Sequence, residues 1–463
     1  MGLYEEIDGF FNPKTVALIG ASTKPGKIGY VILENLLEFP GKVYPIHPKA
    51  EEILGLKCYH SVDEIPEKID LAIIAIRSTD VPKTIRKLAD MGTKNFVIIS
   101  GGFKELGGEF EDIEAQITKI AKEKRVRIIG PNCIGIFDPR TNIRSFFQPR
   151  SRMLLPKPGS VSILTQSGTY GIILLEWSAM DHLGVSKFVS YGNKADVDEA
   201  DLLLYLKDEP NTKVIGIYLE GLKDGKKFFE AAKEITKVKP VIVLRGGNTE
   251  KAKKAVKSHT GFLGGGGRIY RDVFRQAGVI LARNLEDLYD MIKALAKQPP
   301  AKGNRIAMMS NGAGLMVQAV DAIEYEGMEL AEFADETIER LKKKLPSYAI
   351  ISNPLDLTGS ATDDDYYNAI EIVLDDPNTD IILVFFVHQD SPVTPSIIDK
   401  LAELNQKARK KGKPILVGAS GGPYTIELNR RTEEIGIPTY PISERIVRAA
   451  WVLYKWGQRK NTE

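Results

Sequence analysis

Residues 16–22 (VALIGAS) decide the fold, because a short β-branched run ends there in a small-residue turn and opens into a helical pattern. The same construction occurs at 161–168 (VSILTQSG) and at 306–314 (IAMMSNGAG). A strand, a tight turn and a helix N-terminus together present backbone N–H groups and the positive end of a helix dipole to an anion. The three stretches predict an α/β protein with three phosphate-handling turns.

Length and composition are those of a large globular protein. At about 150 residues per domain, 463 residues predict three domains. The 43% hydrophobic and 27% charged content exclude a disordered or collagen-like chain. The net charge is only +2 with the signs interspersed, so we expect no nucleic-acid partner. The two cysteines, Cys58 and Cys133, form no ligand-spaced cluster, which argues against a metal site and favours a reducing compartment.

The N-terminus lacks the features of a targeting segment. Residues 1–11 include Glu5, Glu6 and Asp8 and have neither a basic start nor an apolar stretch of signal-peptide length. The longest apolar runs, such as 381–387, have the length of strands rather than of membrane spans. We therefore expect a cytoplasmic protein with no membrane partner.

The first domain is predicted over residues 1–130, where β-branched runs alternate with helical segments. This alternation predicts a parallel, doubly wound, Rossmann-like sheet. The predicted strands lie at 16–20, 42–46, 71–76, 96–100 and 126–130.

The first turn of this domain indicates the class of its ligand. Gly20, Gly26 and Gly29 form a Rossmann-like phosphate turn, although Ser22 stands where the pattern GxGxxG has its second glycine. The second strand ends in residues 46–49 (IHPK), where an NAD enzyme has Asp or Glu for the ribose hydroxyls. A basic group there suits a ligand with an additional phosphate, and both NADP and coenzyme A qualify.

Two further α/β domains are predicted. Residues 130–159, which run from GPNC to PKPG, are interpreted as an irregular connection. The second domain is predicted over 157–298 and the third over 303–457, with a proline-containing linker at 298–300 between them. Their apolar runs predict flavodoxin-like, doubly wound sheets.

His259 is the main candidate for a nucleophile. It lies in residues 257–261 (KSHTG), which lead to the glycines 264–267, so the nearby backbone has unusual conformational freedom. Neutral imidazole is nucleophilic near pH 7 and can carry a phosphoryl group. Glu220 ends an apolar run, and a carboxylate there can fix the tautomer of His259. A surface histidine and an ion-pairing glutamate are the alternatives. The other histidines are interpreted as structural or surface residues: His47, His60, His182 and His388.

Residues 165–169 (TQSGT) and 311–314 (NGAG) each open a predicted helix. Two helix N-termini that face each other would hold one phosphoryl group between their dipoles. Tight strand-to-helix turns without a ligand are the alternative.

Six motifs, in order, resemble those of one known family. They are GASTKPGKIG at 20–29, PNCIG at 131–135, TQSGT at 165–169, SHTGFLGG at 258–265, SNGAGL at 310–315 and SNPLDLTG at 352–359. The chain is similar over nearly its full length to the α subunits of archaeal ADP-forming acetyl-CoA synthetases, within the succinyl-CoA synthetase superfamily. The resemblance implies a Rossmann-like coenzyme A domain followed by two flavodoxin-like domains.

The resemblance also assigns residues by motif position. His259 matches the phosphorylated histidine, Glu220 its supporting glutamate, and Asn132 a position near the acyl group and thioester. The implied coenzyme A positions are Gly20, Ala21, Ser22, Lys27, Gly29, Pro48, Lys49, Ala75, Ile76, Arg77, Gly101 and Gly102. The implied phosphate positions are Gln166, Ser167, Gly168, Asn311, Gly312, Ala313 and Gly314.

The implied reaction is acyl-CoA + ADP + phosphate ⇌ acid + ATP + CoA. Phosphate attacks the thioester, and His259 then takes the phosphoryl group from the acyl phosphate. ADP, ATP and Mg²⁺ belong in this family to an ATP-grasp domain. No part of this sequence resembles that domain, so we expect it on a separate β subunit of an α2β2 heterotetramer. The glycines after Phe262 favour a swing of His259 between the two sites.

Two other functions stay open. An NADP-dependent oxidoreductase would suit the basic Lys49, although no proton-relay Tyr/Lys or His/Arg set is evident. A non-catalytic CoA-sensing subunit would use the same sheets and would not need His259.

Overall fold

The computed structural model of the chain describes residues 2–247, 249, 251–252 and 267–461. Contacts divide the chain into two compact units, Met1–Arg283 and Asn284–Glu463. Parallel sheets flanked by helices confirm the predicted α/β fold class. The boundaries of the three predicted domains stay a prediction, and His259 lies outside the described residues.

The first sheet of the N-terminal unit is parallel and carries the Rossmann-like turn. Its five described strands are largely buried and match the predicted runs. Their order across the sheet is Lys42–Ile46, Thr15–Ile19, Leu71–Ile74, Asn95–Ile98 and Arg127–Ile129. The helices after these strands are Ile28–Leu36, Val81–Asp90 and Glu109–Lys124, and a hairpin joins Glu52–Ile53 to Leu56–Lys57. The chain leaves Thr15–Ile19 toward one side of the sheet and later returns on the other, so a ligand crevice forms at the carboxyl ends of these central strands.

The second sheet of the N-terminal unit is parallel over five described strands and antiparallel at one edge. Its order is Ile280–Ala282, Val241–Arg245, Val214–Leu219, Pro158–Thr165, Val185–Ser190, Gly135–Asp138 and Ile143–Arg144. Its helices are Gly168–Met180, Glu199–Asp208, Gly225–Ile235 and Gly267–Gln276, and the N-terminal helix Leu3–Asp8 packs on Glu199–Asp208.

The prediction of an irregular connection over 130–159 is wrong in part, because Gly135–Asp138 and Ile143–Arg144 are strands. These strands are too short to show a period, and what stabilises them is distant in sequence. Gly135–Asp138 pairs with Val185–Ser190, and the buried carboxylate of Asp138 lies 2.7 Å from Nζ of Lys187. Tertiary pairing therefore determines their structure.

Arg127 ties the first sheet to two helices and a turn of the N-terminal unit. It lies in the last strand of the first sheet, and its guanidinium donates hydrogen bonds to Asp196 (3.0 Å), Asp201 (3.1 Å) and Glu6 (3.1 Å). The planar fork of donors suits several carboxylates at once. This ion-pair network fixes the first sheet against the turn that precedes the helix Glu199–Asp208.

The C-terminal unit contains a third sheet, parallel throughout its six described strands. Its order is Glu329–Leu330, Arg305–Ser310, Ile381–Phe386, Ile415–Ala419 and Thr439–Tyr440, with Leu355–Asp356 paired beside Arg305–Ser310. Its helices are Leu285–Lys297, Ala313–Tyr325, Asp335–Lys344, Asp363–Asp375, Ile397–Lys411, Pro423–Glu434 and Ser443–Asn461.

Glu433 connects three elements of the C-terminal unit. Its buried carboxylate accepts hydrogen bonds from Nζ of Lys293 (2.9 Å) and Lys297 (2.5 Å) and from the backbone N–H of Thr439 (2.6 Å). Both lysines are also buried and lie on the helix Leu285–Lys297. The carboxylate thus compensates the charge of two ammonium groups in a poorly solvated place.

We expect Glu433→Ala to lower the free energy of unfolding by about 3–5 kcal/mol, because two buried ammonium groups lose their carboxylate. The neighbouring Glu434, whose side chain is 41% exposed, provides the matched control. Glu434→Ala should cost at most about 1 kcal/mol. Urea denaturation followed by circular dichroism measures both variants, and equal losses would contradict this account.

Candidate active site

A cavity of about 850 Å³ lies in the N-terminal unit, where strand ends of the first sheet approach turns of the second. Predicted coenzyme A, acyl and phosphate positions share this cavity. The residues that line it are Ile28, Ala75, Ile76, Arg77, Ile99, Ser100, Gly101, Asn132, Cys133, Ile134, Phe147, Gln148, Gln166, Ser167, Gly168, Thr169, Ile172, Ile173, Gly192 and Asn193.

The glycine turn after the first strand lies beside the cavity. Gly20 has a φ of +96°, and a Cβ atom there would lie 2.3 Å from the carbonyl oxygen of Ala75. A Cβ atom at Gly29 would lie 1.9 Å from the carbonyl oxygen of Gly20. Only glycine permits this approach of strand, turn and helix. The helix Ile28–Leu36 begins after Lys27, which makes no side-chain cap, so the first N–H groups are left for solvent or an anion.

The other predicted coenzyme A positions lie outside the cavity lining. Ala21 is buried, and Oγ of Ser22 accepts the backbone N–H of Lys24 (3.1 Å). The turn that contains Pro48 and Lys49 is held by His47, whose Nδ1 accepts the backbone N–H groups of Lys49 (3.2 Å) and Ala50 (2.9 Å). Gly102, with a φ of +93°, follows Gly101 of the lining.

Asn132 lines the cavity from a turn with unusual backbone geometry. Its φ is +56°, which is uncommon for a residue other than glycine, and its N–H donates to the carbonyl oxygen of Ser100 (2.8 Å). Nδ2 of Asn132 donates to Oδ1 of Asn193 (3.3 Å). The next residue is Cys133, where burial raises the pKa of the thiol to about 12 and keeps it protonated. A protonated thiol is a poor nucleophile, so the polar chemistry of this turn rests on Asn132.

The turn 165–168 brings a helix N-terminus to the same cavity. Ser167 precedes the helix Gly168–Met180 and makes no side-chain cap. Oγ1 of Thr165 instead closes the turn by donating to the carbonyl oxygen of Ser167 (2.6 Å). The first N–H groups of this helix, with the dipole behind them, can therefore face an anion.

Glu220 is tied to this turn. It follows the strand Val214–Leu219, and its backbone N–H donates to Oε1 of Gln166 (2.9 Å). Its carboxylate is buried: Oε1 lies 3.5 Å from the hydroxyl of Tyr218, while Oε2 has no hydrogen-bond partner among the described residues. Burial, together with the charge of Glu220, raises the pKa of Tyr218, so this hydroxyl remains a donor. A buried carboxylate oxygen without a partner among the described residues can accept a further hydrogen bond.

The third turn lies in the C-terminal unit, where the side chain of Asn311 is hydrogen-bonded to neighbouring protein groups. Its amide nitrogen donates to the carbonyl oxygen of Val387 and to Oδ2 of Asp390, both at 3.1 Å. Its Oδ1 accepts from the N–H of Val387 and from the hydroxyl of Tyr366, both at 2.8 Å. These bonds occupy the side chain of Asn311. Donors for an anion would therefore be backbone N–H groups at the start of the helix Ala313–Tyr325, which follows Gly312 and includes Gly314.

Sequence reasoning missed Tyr218 and Asn193. Tyr218 was hidden inside an apolar run, although it lies two residues before Glu220, a spacing that places two side chains on one face of an extended segment. Asn193 follows Gly192 at the end of a predicted strand, where ligand residues are expected, and that signal could have identified it. His388 is buried and stacks on Phe386 with ring centroids 4.9 Å apart, and burial lowers its pKa to about 4. A neutral, internal histidine agrees with its structural interpretation.

The described residues contain no group of three or more His, Cys, Asp or Glu side chains able to hold a metal ion. None of the helices within the described ranges is long and apolar enough to cross a membrane.

Three family models match the chain in succession. Residues 14–139 match a CoA binding domain, residues 158–295 a succinyl-CoA ligase like flavodoxin domain, and residues 305–462 a Ligase-CoA domain.

Individual proteins match almost the whole chain. The acetate–CoA ligase (ADP-forming) II subunit alpha of Pyrococcus furiosus is 40% identical, with 98% of each chain covered. The acetate–CoA ligase (ADP-forming) of Methanocaldococcus jannaschii is 41% identical over 97% of this chain and 63% of its own length. The solved structure of Ca. Korarchaeum cryptofilum dinucleotide forming acetyl-coenzyme A synthetase 1, in complex with phosphate and ADP, has a TM-score of 0.90 at 36% identity and covers 98% of this chain and 97% of its own. This chain belongs to the family of α subunits of ADP-forming acetate–CoA ligases.

Proposed function

We propose that the chain is the catalytic α subunit of an ADP-forming acyl-CoA synthetase, which converts acyl-CoA, ADP and phosphate into acid, ATP and CoA. The observation that carries the proposal is the buried carboxylate of Glu220, which has one oxygen without a hydrogen-bond partner among the described residues and is tied through Gln166 to a helix N-terminus in the cavity. A carboxylate in that position suits a histidine that carries a phosphoryl group.

Coenzyme A binds in the crevice of the first sheet. The close approach of Gly20, Gly29 and Ala75 leaves the N-terminus of the helix Ile28–Leu36 open to a phosphate group. Lys27, Lys49 and Arg77 are exposed and can neutralise further phosphate charge. The thioester end enters the cavity beside Asn132.

Phosphate binds at the N-terminus of the helix Gly168–Met180. An oxygen of phosphate attacks the thioester carbonyl carbon, the C–S bond breaks, and the sulfur leaves with the electron pair as the CoA thiolate. The negative charge that develops on the carbonyl oxygen is stabilised by Asn132 and by helix N–H groups. The product is an acyl phosphate next to Ser167 and Gly168.

His259 then attacks phosphorus, the bond from phosphorus to the acyl oxygen breaks, and the acid leaves as its carboxylate. Glu220 accepts a hydrogen bond from the other ring nitrogen of His259, fixes the tautomer and stabilises the positive charge of the ring. Oε2 of Glu220, which has no partner among the described residues, supports this assignment because it can accept such a bond.

ADP binds with Mg²⁺ on a partner, which we propose to be an ATP-grasp β subunit in an α2β2 assembly. This chain covers 63% of the length of the Methanocaldococcus relative, which leaves more than a third of that protein for a further segment. The glycines 264–267 in the sequence favour a swing of the phosphohistidine toward the partner, and the backbone at 311–314 is a second candidate phosphate-binding turn. Two buried, unpaired cysteines agree with a cytoplasmic location.

The two other functions have no such support. The model matched by residues 14–139 is a CoA binding domain, which does not favour an NADP-dependent oxidoreductase. A CoA-sensing subunit would not need the buried carboxylate of Glu220 beside a phosphate turn.

We expect His259→Ala to abolish the phosphorylation of this chain from acetyl-CoA and phosphate. Glu220→Gln should slow the same phosphorylation about 10²-fold. The phosphorylation should be acid-labile and base-stable, and quench-flow with labelled phosphate measures its rate. Glu209→Gln, which changes another buried glutamate of the same unit, is the matched control. Label on His259→Ala at the wild-type rate would refute the phosphohistidine.

We expect Gly29→Ala to raise the Kd for CoA at least about tenfold, because the added methyl group forces the helix Ile28–Leu36 away from the carbonyl oxygen of Gly20. Isothermal titration with CoA measures the change. Gly225→Ala is the matched control, since its Cβ would meet nothing within 4 Å at the start of another helix. Unchanged affinity in a folded Gly29→Ala variant would place CoA elsewhere.

A further inference from the structure

Asn193 has the hydrogen-bond environment of a residue that orients another. It is 1% exposed and lines the cavity of about 850 Å³. Its Nδ2 donates to Oε2 of Glu105 (2.7 Å) and to Oε2 of Glu114 (2.9 Å). Nζ of Lys104 lies 3.0 Å from Oε1 of Glu114 and donates to the backbone carbonyl of Asn193 (2.6 Å). A single amide nitrogen shared by two carboxylates is strongly fixed.

These carboxylates determine which way the amide of Asn193 points. The amide nitrogen and oxygen of asparagine are nearly indistinguishable by shape. They can be assigned when one end of the amide faces groups that only accept, or only donate, hydrogen bonds. An ionised carboxylate only accepts hydrogen bonds, and the carboxylate of Glu105 faces Nδ2 of Asn193. Burial alone would raise the pKa of Glu105, but hydrogen bonds from Asn193 and from backbone N–H groups lower it below its ordinary value and keep the group ionised. Oδ1 of Asn193 must therefore face Asn132.

The orientation of the Asn193 amide determines the orientation of the Asn132 amide. Because Oδ1 of Asn193 is an acceptor, Asn132 must present its NH₂ group, and the observed bond joins Nδ2 of Asn132 to Oδ1 of Asn193 (3.3 Å). An NH₂ group has two donors, and none of the described residues accepts the second. Asn132 itself lines the cavity. The polarised amide of Asn193 also makes this pair stronger than two neutral amides would be.

We propose that Asn193, held by Glu105 and Glu114, is a positioning residue that fixes the amide of Asn132 with one N–H directed at the thioester carbonyl oxygen. The inference rests on the proposed function of the cavity. As phosphate adds to the carbonyl carbon, this N–H stabilises the charge on the oxygen until the C–S bond breaks and the thiolate leaves.

The same network connects the coenzyme A loop with the reacting group. Oε1 of Glu105 accepts the backbone N–H groups of Gly102 (2.6 Å) and Phe103 (3.1 Å), while its Oε2 accepts from Asn193. A Cβ atom at Gly101 would lie 3.2 Å from Oδ1 of Asn132. A ligand that orders residues 101–103 thereby also orders the amide of Asn132.

Arsenolysis of acetyl-CoA by the full-length chain with its partner subunit isolates the step in question. Arsenate replaces phosphate, the acyl arsenate hydrolyses spontaneously, and release of the CoA thiol is followed without ADP. The Kd for CoA is measured on the same samples.

We expect Asn132→Ala to lower kcat for arsenolysis about 10²-fold, as for loss of one oxyanion donor. Asn193→Ala should lower kcat about tenfold with KM within about twofold, and the double variant should be no slower than Asn132→Ala alone, because both changes remove one interaction. The control is Asn405→Ala, which removes another buried asparagine paired with an amide, that of Gln298 (3.1 Å), outside the cavity lining.

Glu105→Gln tests the inference if Asn193→Ala does not fold. The volume is kept, but a single amide oxygen cannot accept from both Gly102 and Asn193, so kcat should fall while the Kd for CoA changes less. The positioning role would be overturned if the losses of kcat in Asn132→Ala and Asn193→Ala multiplied in the double variant. It would also be overturned if kcat and CoA affinity changed equally. No arsenolysis by a wild-type complex that binds CoA would contradict the proposed function and this inference with it.

Discussion

The hydrogen bond from the backbone of Glu220 to the side chain of Gln166 is the constraint on which the candidate site depends. It joins the end of one strand to the turn after the neighbouring strand, so a buried carboxylate and a helix N-terminus keep a fixed separation. The helix end attracts an anion, and the carboxylate attracts a cation or a hydrogen-bond donor. A phosphorylated imidazole offers both partners in one group, which is why this pairing suits a phosphohistidine.

The rest of the N-terminal unit surrounds that pair with rigid supports. A parallel sheet and a largely parallel one meet at the cavity, and Arg127 ties the opposite end of the last strand of the first sheet to three carboxylates. Glycines at positions 20 and 29 permit an approach that a methyl group would prevent. Elements that position a reacting group are effective when they are rigid, and here most are strand ends and the turns directly after them.

The helices and strands could be predicted from the sequence better than the contacts between distant side chains. Strands such as Leu71–Ile74 and Ile381–Phe386 lie in continuous apolar runs that contain β-branched residues, so local pattern suffices to predict them. Gly135–Asp138 escaped prediction because its stability comes from pairing with a strand about fifty residues later. The same limit applies to the candidate site. The motif positions of Asn132, Ser167 and Gly168 were readable and lie in one cavity. The hydrogen bonds of Asn311 to Val387 and Asp390, and those of Asn193 to Glu105 and Glu114, join residues that are far apart in sequence.

The central claim is that a phosphohistidine on this chain is an obligatory intermediate in ATP formation. A rapid-quench chase tests it most directly: the complex is mixed with acetyl-CoA and labelled phosphate, and ADP is added after the label has accumulated. The account predicts that label forms on this chain at least as fast as steady-state turnover and then passes to ATP without dilution by unlabelled phosphate. Labelled ATP that appears before the chain is labelled, or label that forms more slowly than turnover, would contradict it.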